Sequence, residues 1–250
     1  MIRINNISKS FFERPVIKDI SFTFEVGKTN MIIGESGSGK TTLLKCMVGL
    51  NEVDSGEVLF DNRNFYKLNF KEKKEIRKEI GMLFQGGALF DSKTAEENVV
   101  FPLSMFTDLS ESEKRDRANF CLQRVNLENA NNLFPSELSG GMKKRVAIAR
   151  AIAVQPKYLF CDEPNSGLDP KTSIVIDNLI KEITEEYNIT TIVITHDMNS
   201  VIEIGDNIMF IYKGEKWWEG SKEEILKTDN KEVCDFVYAT KFMKDLKSKF

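Results

Sequence analysis

Residues 34–41 read Gly34-Glu35-Ser36-Gly37-Ser38-Gly39-Lys40-Thr41, GESGSGKT, and match G-x-x-x-x-G-K-[ST] without a gap. The run before it, NMIIG (30–34), is apolar and of buried-strand type. After it, Leu43, Leu44, Met47 and Val48 recur at helical spacing, which predicts a helix from about Lys40 to Gly49. Strand, glycine loop and helix in that order are the context the pattern requires. Its glycines let backbone N–H groups face an anion, and the helix start adds its positive end. Lys40 is placed to reach the β- and γ-phosphates of a nucleotide, and the Thr41 hydroxyl, followed by Thr42, to hold Mg2+. A plain glycine turn would leave the Lys40-Thr41 pair unexplained.

Outward from this loop, INNIS (4–8) and SFTFEV (21–26) read as strands, the second alternating apolar and polar. The charged KEKKEIRKE after Phe70 reads as a solvated helix with Glu-Lys pairs at helical spacing. SESE (110–113) fits a capping box opening a helix to about Val125, so the interval from about 86 to 135 reads as a mostly helical insert. A helix from Gly141 to Val154 stops before Pro156, and KYLFCDE (157–163) is a buried strand ending in two acids. Asp169 and Pro170 read as N-cap and first residue of a helix to about Tyr187, and TTIVITHD (190–197) as another buried strand. Strands alternating with helices argue for a mainly parallel α/β core.

Composition excludes several classes. The chain has 250 residues, 41% hydrophobic, with net charge -3 and pI near 5.5, so no strongly basic surface marks nucleic acid as a partner. Cys46, Cys121, Cys161 and Cys234 lie far apart, as expected of ordinary thiols in a reducing compartment. With one histidine, His196, a zinc site of His and Cys is not expected. No apolar run approaches the roughly 18 to 20 residues of a membrane span, and the N-terminus lacks a signal-peptide core. The expected location is the cytoplasm.

The discriminating segments are LSGGMKKR (138–145) and KYLFCDEP (157–164), which together with the phosphate loop resemble the ATP-binding cassette (ABC) family over nearly the whole chain. That resemblance implies a P-loop NTPase fold of the ABC ATPase type: a mainly parallel core sheet, an antiparallel β subdomain and an α-helical subdomain. In these terms the chain is a single ABC domain, with core and β subdomain at 1–85 and 136–220, the helical subdomain at about 86–135 and a C-terminal helix or tail at 221–250. The implied reaction is hydrolysis of ATP with Mg2+.

The resemblance also implies roles. The turn Ser139-Gly140-Gly141 grips the γ-phosphate of an ATP held by another subunit's phosphate loop; its hydroxyl and glycines suit close approach to an anion. Asp162 holds Mg2+, directly or through water, and Glu163 is the base that orients the attacking water. His196 contacts the γ-phosphate, Ser166-Gly167-Leu168-Asp169 touches the opposite subunit, and Phe11 or Phe12 stacks on adenine, with Phe11 favoured. Gln85 senses Mg2+ and the water and joins the core to the insert, a task an uncharged donor-acceptor amide suits.

One set of motifs implies a head-to-tail dimer of two copies, working on a separate multispan membrane permease from the inner face of the membrane. LFQGGALFDSKTAEENVVFPL (83–103), LSGGMKKR and DEPNSGLDP look most like the ATPases of Mla-type phospholipid transport, whose partners include an MCE-domain lipid-binding protein and allow a small regulatory subunit. Gly86-Gly87-Ala88-Leu89-Phe90 reads as the wall of a docking groove for a permease helix. Rival roles are another importer or exporter, a cell-division complex, or iron-sulfur cluster assembly. Chromosome-maintenance ATPases are set aside because coiled-coil heptads are absent. The segment after about 221, with Phe236, Val237, Phe242, Met243, Leu246 and Phe250, is expected to pack as a helix on the core or to bind a partner.

Overall fold

The computed structural model describes residues 1–239. Among these residues, strands β1 (Ile2–Phe11), β2 (Arg14–Phe24), β3 (Thr29–Ile33), β4 (Ser55–Phe60), β5 (Arg63–Asn64), β6 (Ile80–Leu83), β7 (Tyr158–Asp162), β8 (Thr190–Thr195), β9 (Asn207–Tyr212) and β10 (Glu215–Gly220) make two sheets. The helices are α1 (Lys40–Met47), α2 (Phe70–Lys78), α3 (Ala95–Phe106), α4 (Glu111–Arg124), α5 (Gly140–Ile152), α6 (Pro170–Glu186), α7 (Met198–Ile204), α8 (Lys222–Ile225) and α9 (Lys231–Val237).

The larger sheet has the order β10-β9-β3-β8-β7-β6, parallel from β9 to β6, with β10 antiparallel at its edge. Its central strands β3, β7 and β8 are buried along their whole length, with apolar runs at their centres, because both faces are covered. Met31, Ile33, Leu159, Cys161, Val193 and Phe210 pack on one face, and Ile32, Phe160, Ile192, Ile194, Met209 and Ile211 on the other. Each such side chain contributes roughly 1.5–3 kcal/mol on burial. The smaller sheet, β2-β1-β4-β5, is antiparallel, and its apolar face joins the second of these clusters through Ile2, Ile4, Phe24, Val58 and Phe60.

Parallel pairing has a functional consequence. The carboxyl ends of β3, β6, β7 and β8 lie along one edge of the sheet, so Gly34, Gln85, Asp162 and His196 are delivered to the same side although they are far apart in sequence. Ligands of open α/β sheets bind outside such ends.

The helical insert is built from local signals. Thr94 and Ser110 cap α3 and α4, each in a reciprocal capping box with Glu97 or Glu113. Asn98, fully buried, accepts from the Phe90 N–H and donates to the carbonyls of Phe90, Lys93 and Thr94, which fixes the loop entering α3. Arg117 of α4 donates to the carbonyls of Ile152 and Ala153, closing the C-terminus of α5 and tying the insert to the core.

Some elements exceed the sequence expectations. INNIS is the middle of the ten-residue β1, and SFTF (21–24) ends the eleven-residue β2, with Glu25 and Val26 lying beyond the strand. The insert holds two helices joined to the core by loops, and the β9–β10 hairpin was not anticipated because its outer strand, EKWWEG, mixes charge with exposed tryptophan. At the C-terminal side, α9 buries Val233 and Val237, and Phe236 lies 5.3 Å from Phe210 between ring centroids. Phe242, Met243, Leu246 and Phe250 lie outside the described residues.

Candidate functional site

A cavity of about 260 Å³ opens at the strand ends, lined by Ser36, Gly37, Gly39, Lys40, Thr41 and Thr42 together with Gln85, Glu163, His196 and Val16. The loop that forms its floor depends on glycine at two points. Gly34 has φ +146, and a Cβ there would collide with the Ile211 carbonyl oxygen. Gly39 has φ +107, and a Cβ would meet the Ile17 side chain at 2.6 Å. Lys40, only 6% exposed, bends back to donate to the Gly34 and Glu35 carbonyls, both at 2.9 Å. Burial lowers the Lys40 pKa, opposed by the nearby Glu163 and Asp162 carboxylates.

On β7, Asp162 Oδ1 accepts from Thr41 Oγ1 at 3.3 Å, and burial raises the Asp162 pKa against that hydrogen bond, with Glu163 adding to the rise. Glu163 leaves the strand with φ +49, a left-handed conformation, and lines the cavity. Its Oε1 lies 2.9 Å from His196 Nδ1, with the imidazole 64% exposed and the carboxyl 13% exposed. Gln85 Nε2 lies 3.5 Å from Ser166 Oγ.

The fit to a magnesium nucleotide can be judged from the chain alone. Among the described residues the buried Ser38 Oγ has no hydrogen-bond partner and Gly37 faces open space, and the loop's amides follow the positive-φ turns of Gly37 and Gly39. Thr41 Oγ1 and the Asp162 carboxylate are hard oxygen donors close together, the set that Mg2+ prefers. Both observations favour the group.

Other sequence expectations are distributed differently. Ser139 caps α5 through a 3.2 Å bond from the Met142 N–H, with Gly140 exposed, but Ser139, Gly140 and Gly141 do not line this cavity. Phe11 is 40% exposed and Phe12 99% exposed; neither lines the cavity, whereas Val16 does. The Phe11 ring instead carries Lys9 Nζ at 5.4 Å from its centroid.

The structure also brings in residues that sequence reasoning passed over. Lys144 of α5 donates to the main-chain oxygens of Gln85 and Glu163. Arg150 donates to the Gly87 and Ala88 carbonyls at 2.6 and 2.7 Å. Asn165, two residues after Glu163, donates to the buried Asp177 at 2.8 Å and to Ser200 at 3.0 Å, and Ser200 donates to Asp177 at 2.9 Å. The second lysine of LSGGMKKR and the asparagine of DEPNSG were the only signals, and neither spacing names its partner.

Comparison with known proteins agrees with this geometry. Residues 17–166 match the family model described as ABC transporter. The chain belongs to the ABC transporter ATP-binding family. As a member of the ABC family it is an ATPase that uses ATP with Mg2+. It is 41% identical to the methionine import ATP-binding protein MetN of Clostridioides difficile, over 92% of this chain and 72% of that protein. It is 39% identical to the intermembrane phospholipid transport system ATP-binding protein MlaF of Haemophilus influenzae, over 95% of this chain and 90% of that protein. Among solved ABC structures, the dimeric post-hydrolysis state of the cassette MJ0796 bound to ADP and Pi superposes with a TM-score of 0.82 at 36% identity, covering 89% of this chain and 99% of that one.

Proposed function

We propose that this ABC ATPase works as a head-to-tail dimer that drives a separate membrane permease, and that the cargo is phospholipid moved between bacterial envelope membranes. No helix among the described residues is long and apolar enough to cross a membrane, and the match to the ABC transporter family supports a permease as the element that is driven. The dimer reading is supported by Ser139, Gly140 and Gly141 lying off the cavity of their own chain, where they are free to complete the site of a second copy.

Within one site, Lys40 and the amides of residues 35–41 bind the phosphates. Thr41, Asp162 and Gln85 would hold Mg2+, which supplies charge neutralisation on the phosphate oxygens. Glu163 accepts the proton of the water that attacks the γ-phosphorus as the bond to the ADP oxygen breaks. His196 is oriented by its Nδ1 contact with Glu163 Oε1, leaving Nε2 for a second partner. Ser139, Gly140 and Gly141 reach the nucleotide of the opposite copy, and Phe11 is the residue proposed to stack on adenine.

The lipid reading is carried by the sequence from 83 to 103 and its setting. The segment leaves Phe84 36% and Phe90 39% exposed, sets Leu89 half-buried beside them, and holds the Phe90 ring tilted against Phe101 at 4.6 Å between centroids. An apolar ledge beside Gln85 suits a docking permease helix. An MCE-domain protein and a small regulatory subunit are proposed as further partners of the assembly, at the inner face of the membrane. The MetN similarity favours a second reading, methionine import.

The test is to purify the tagged full chain from its native membrane and identify what comes with it. A copurifying permease with bound phospholipid and an MCE protein supports the lipid reading; a permease whose ATPase responds to methionine supports the second. Leu89→Asp is expected to keep ATP binding and lose the permease, and an intact complex would overturn the docking assignment.

A further inference from the structure

Lys144 is an expensive residue in its position. It is 5% exposed, and among the described residues no carboxylate lies within ion-pairing distance of its ammonium. Burial lowers its pKa, opposed in part by the negative charge of Asp162 and Glu163. What the ammonium does touch is main chain: the Gln85 carbonyl and, at 3.3 Å, the Glu163 carbonyl.

Those two carbonyls belong to the segments that carry the proposed base and the proposed sensing amide. Glu163 is held in a left-handed conformation that costs about 1–3 kcal/mol and persists only where its surroundings over-determine it. Its N–H donates to Ile194 O at 2.9 Å, and its carbonyl accepts from the Ser166 N–H at 3.2 Å as well as from Lys144. Gln85 lies at a separate strand end, and its side-chain Nε2 approaches Ser166 Oγ of Glu163's segment at 3.5 Å. Lys144 is therefore a direct bridge between the two backbones, and it comes from α5, the helix that Ser139 opens.

We propose that Lys144 is a positioning residue for ATP hydrolysis, fixing the main chains of Glu163 and Gln85 relative to each other so that base and amide meet the same water. This rests on the assignment of Glu163 as base. Among the described residues the phosphate loop makes no hydrogen bond to Lys144, so nucleotide affinity is expected to depend on it less than turnover does.

The test uses the full chain with ATP and Mg2+, measuring nucleotide affinity by titration, steady-state kcat and Tm. Lys144→Met keeps the stem and removes the donors; kcat is expected to fall at least about tenfold, equivalent to about 1.4 kcal/mol, with affinity within about threefold. Lys144→Arg is expected to regain most of the loss. In a Glu163→Gln background, Lys144→Met is expected to add less than about twofold, because residues acting through one another are not additive. A kcat for folded Lys144→Met within about twofold of the parent overturns the proposal, as does a loss of affinity that matches the loss of kcat. Should Lys144→Met fail to fold, Lys144→Gln is the substitute, with an intermediate kcat expected and a parental one fatal to the idea. Normal turnover by Glu163→Gln alone would instead overturn the base assignment.

Discussion

The phosphate loop and the glutamine loop both leave the carboxyl end of a parallel strand, yet they are held in opposite ways. The phosphate loop is braced by its own residues: Lys40 closes on Gly34 and Glu35, the Ser38 N–H donates to Glu35 O at 3.2 Å, and the glycine turns are intrinsic. The glutamine loop is braced from elsewhere. Lys144 and Arg150 of α5 take the carbonyls of Gln85, Gly87 and Ala88, and Asn98 of α3 takes both main-chain groups of Phe90. A loop that supports itself announces its function in eight consecutive letters. One supported by distant helices does not.

Substitutions can break or sharpen this contrast. The largest effect is expected at the residue that joins the strand ends chemically: Glu163→Gln should slow hydrolysis about 10²- to 10⁴-fold while retaining ATP and accumulating a closed dimer. Single-turnover assays and gel filtration with ATP check it, and normal turnover removes Glu163 from the role of base. Next is the self-braced loop. Lys40→Ala removes a charge-assisted contact of about 1.5–3 kcal/mol, so ATP affinity should fall about 10- to 100-fold with little change in Tm. A large loss of Tm would mean that Lys40 holds the fold more than the ligand.

In the externally braced loop the balance should reverse. Asn98→Ala removes the partner of the Phe90 N–H and the donor to three loop carbonyls, and is expected to cost about 1–3 kcal/mol of stability in urea unfolding. ATP affinity should barely move, because no phosphate contact is lost. The smallest effect concerns Asp177, which bridges Asn165 and Ser200 behind the catalytic edge. Burial, opposed by the hydrogen bonds from Ser200 and Asn165, pushes its pKa up to about 6 from 3.8. The folded state then binds more protons than the unfolded one between these values, so this group's contribution to stability falls as pH rises through them and levels off above about pH 6. Asp177→Asn lacks that slope. Relative to the parent it should gain about 1 kcal/mol between about pH 5 and about pH 8 in urea unfolding, and a parallel pair of pH profiles would refute the shift.

The same contrast explains what the sequence disclosed. Apolar runs located β3, β7 and β8, and helical spacing located α1, because buried parallel strands and packed helices write their burial into local pattern. Asp169 and Pro170 marked the start of α6 through capping chemistry, the aspartate carboxylate accepting from the N–H groups of Lys171 and Thr172. Lys144, Asn165 and Arg150 stayed illegible because each acts on a main-chain or side-chain group brought near only by folding. Val16 beside the phosphate loop, where Phe11 was expected to matter, belongs to the same class: its place is set by the β1–β2 hairpin lying over the core.

Arg150 and Lys144 stand six residues apart on α5, about 9 Å along the helix axis, and both grip the segment that carries Leu89 and Phe90. Pulling that segment away from the helix would sever charge-assisted bonds at both cations, each worth about 1.5–3 kcal/mol. The lower-energy response to a load on Leu89 or Phe90 is for α5 to travel with it, and Ser139 rides on the far tip. The helix is then a rocker arm: a stroke applied at the ledge is carried to the Ser139 end, the end proposed to meet the nucleotide of a second copy.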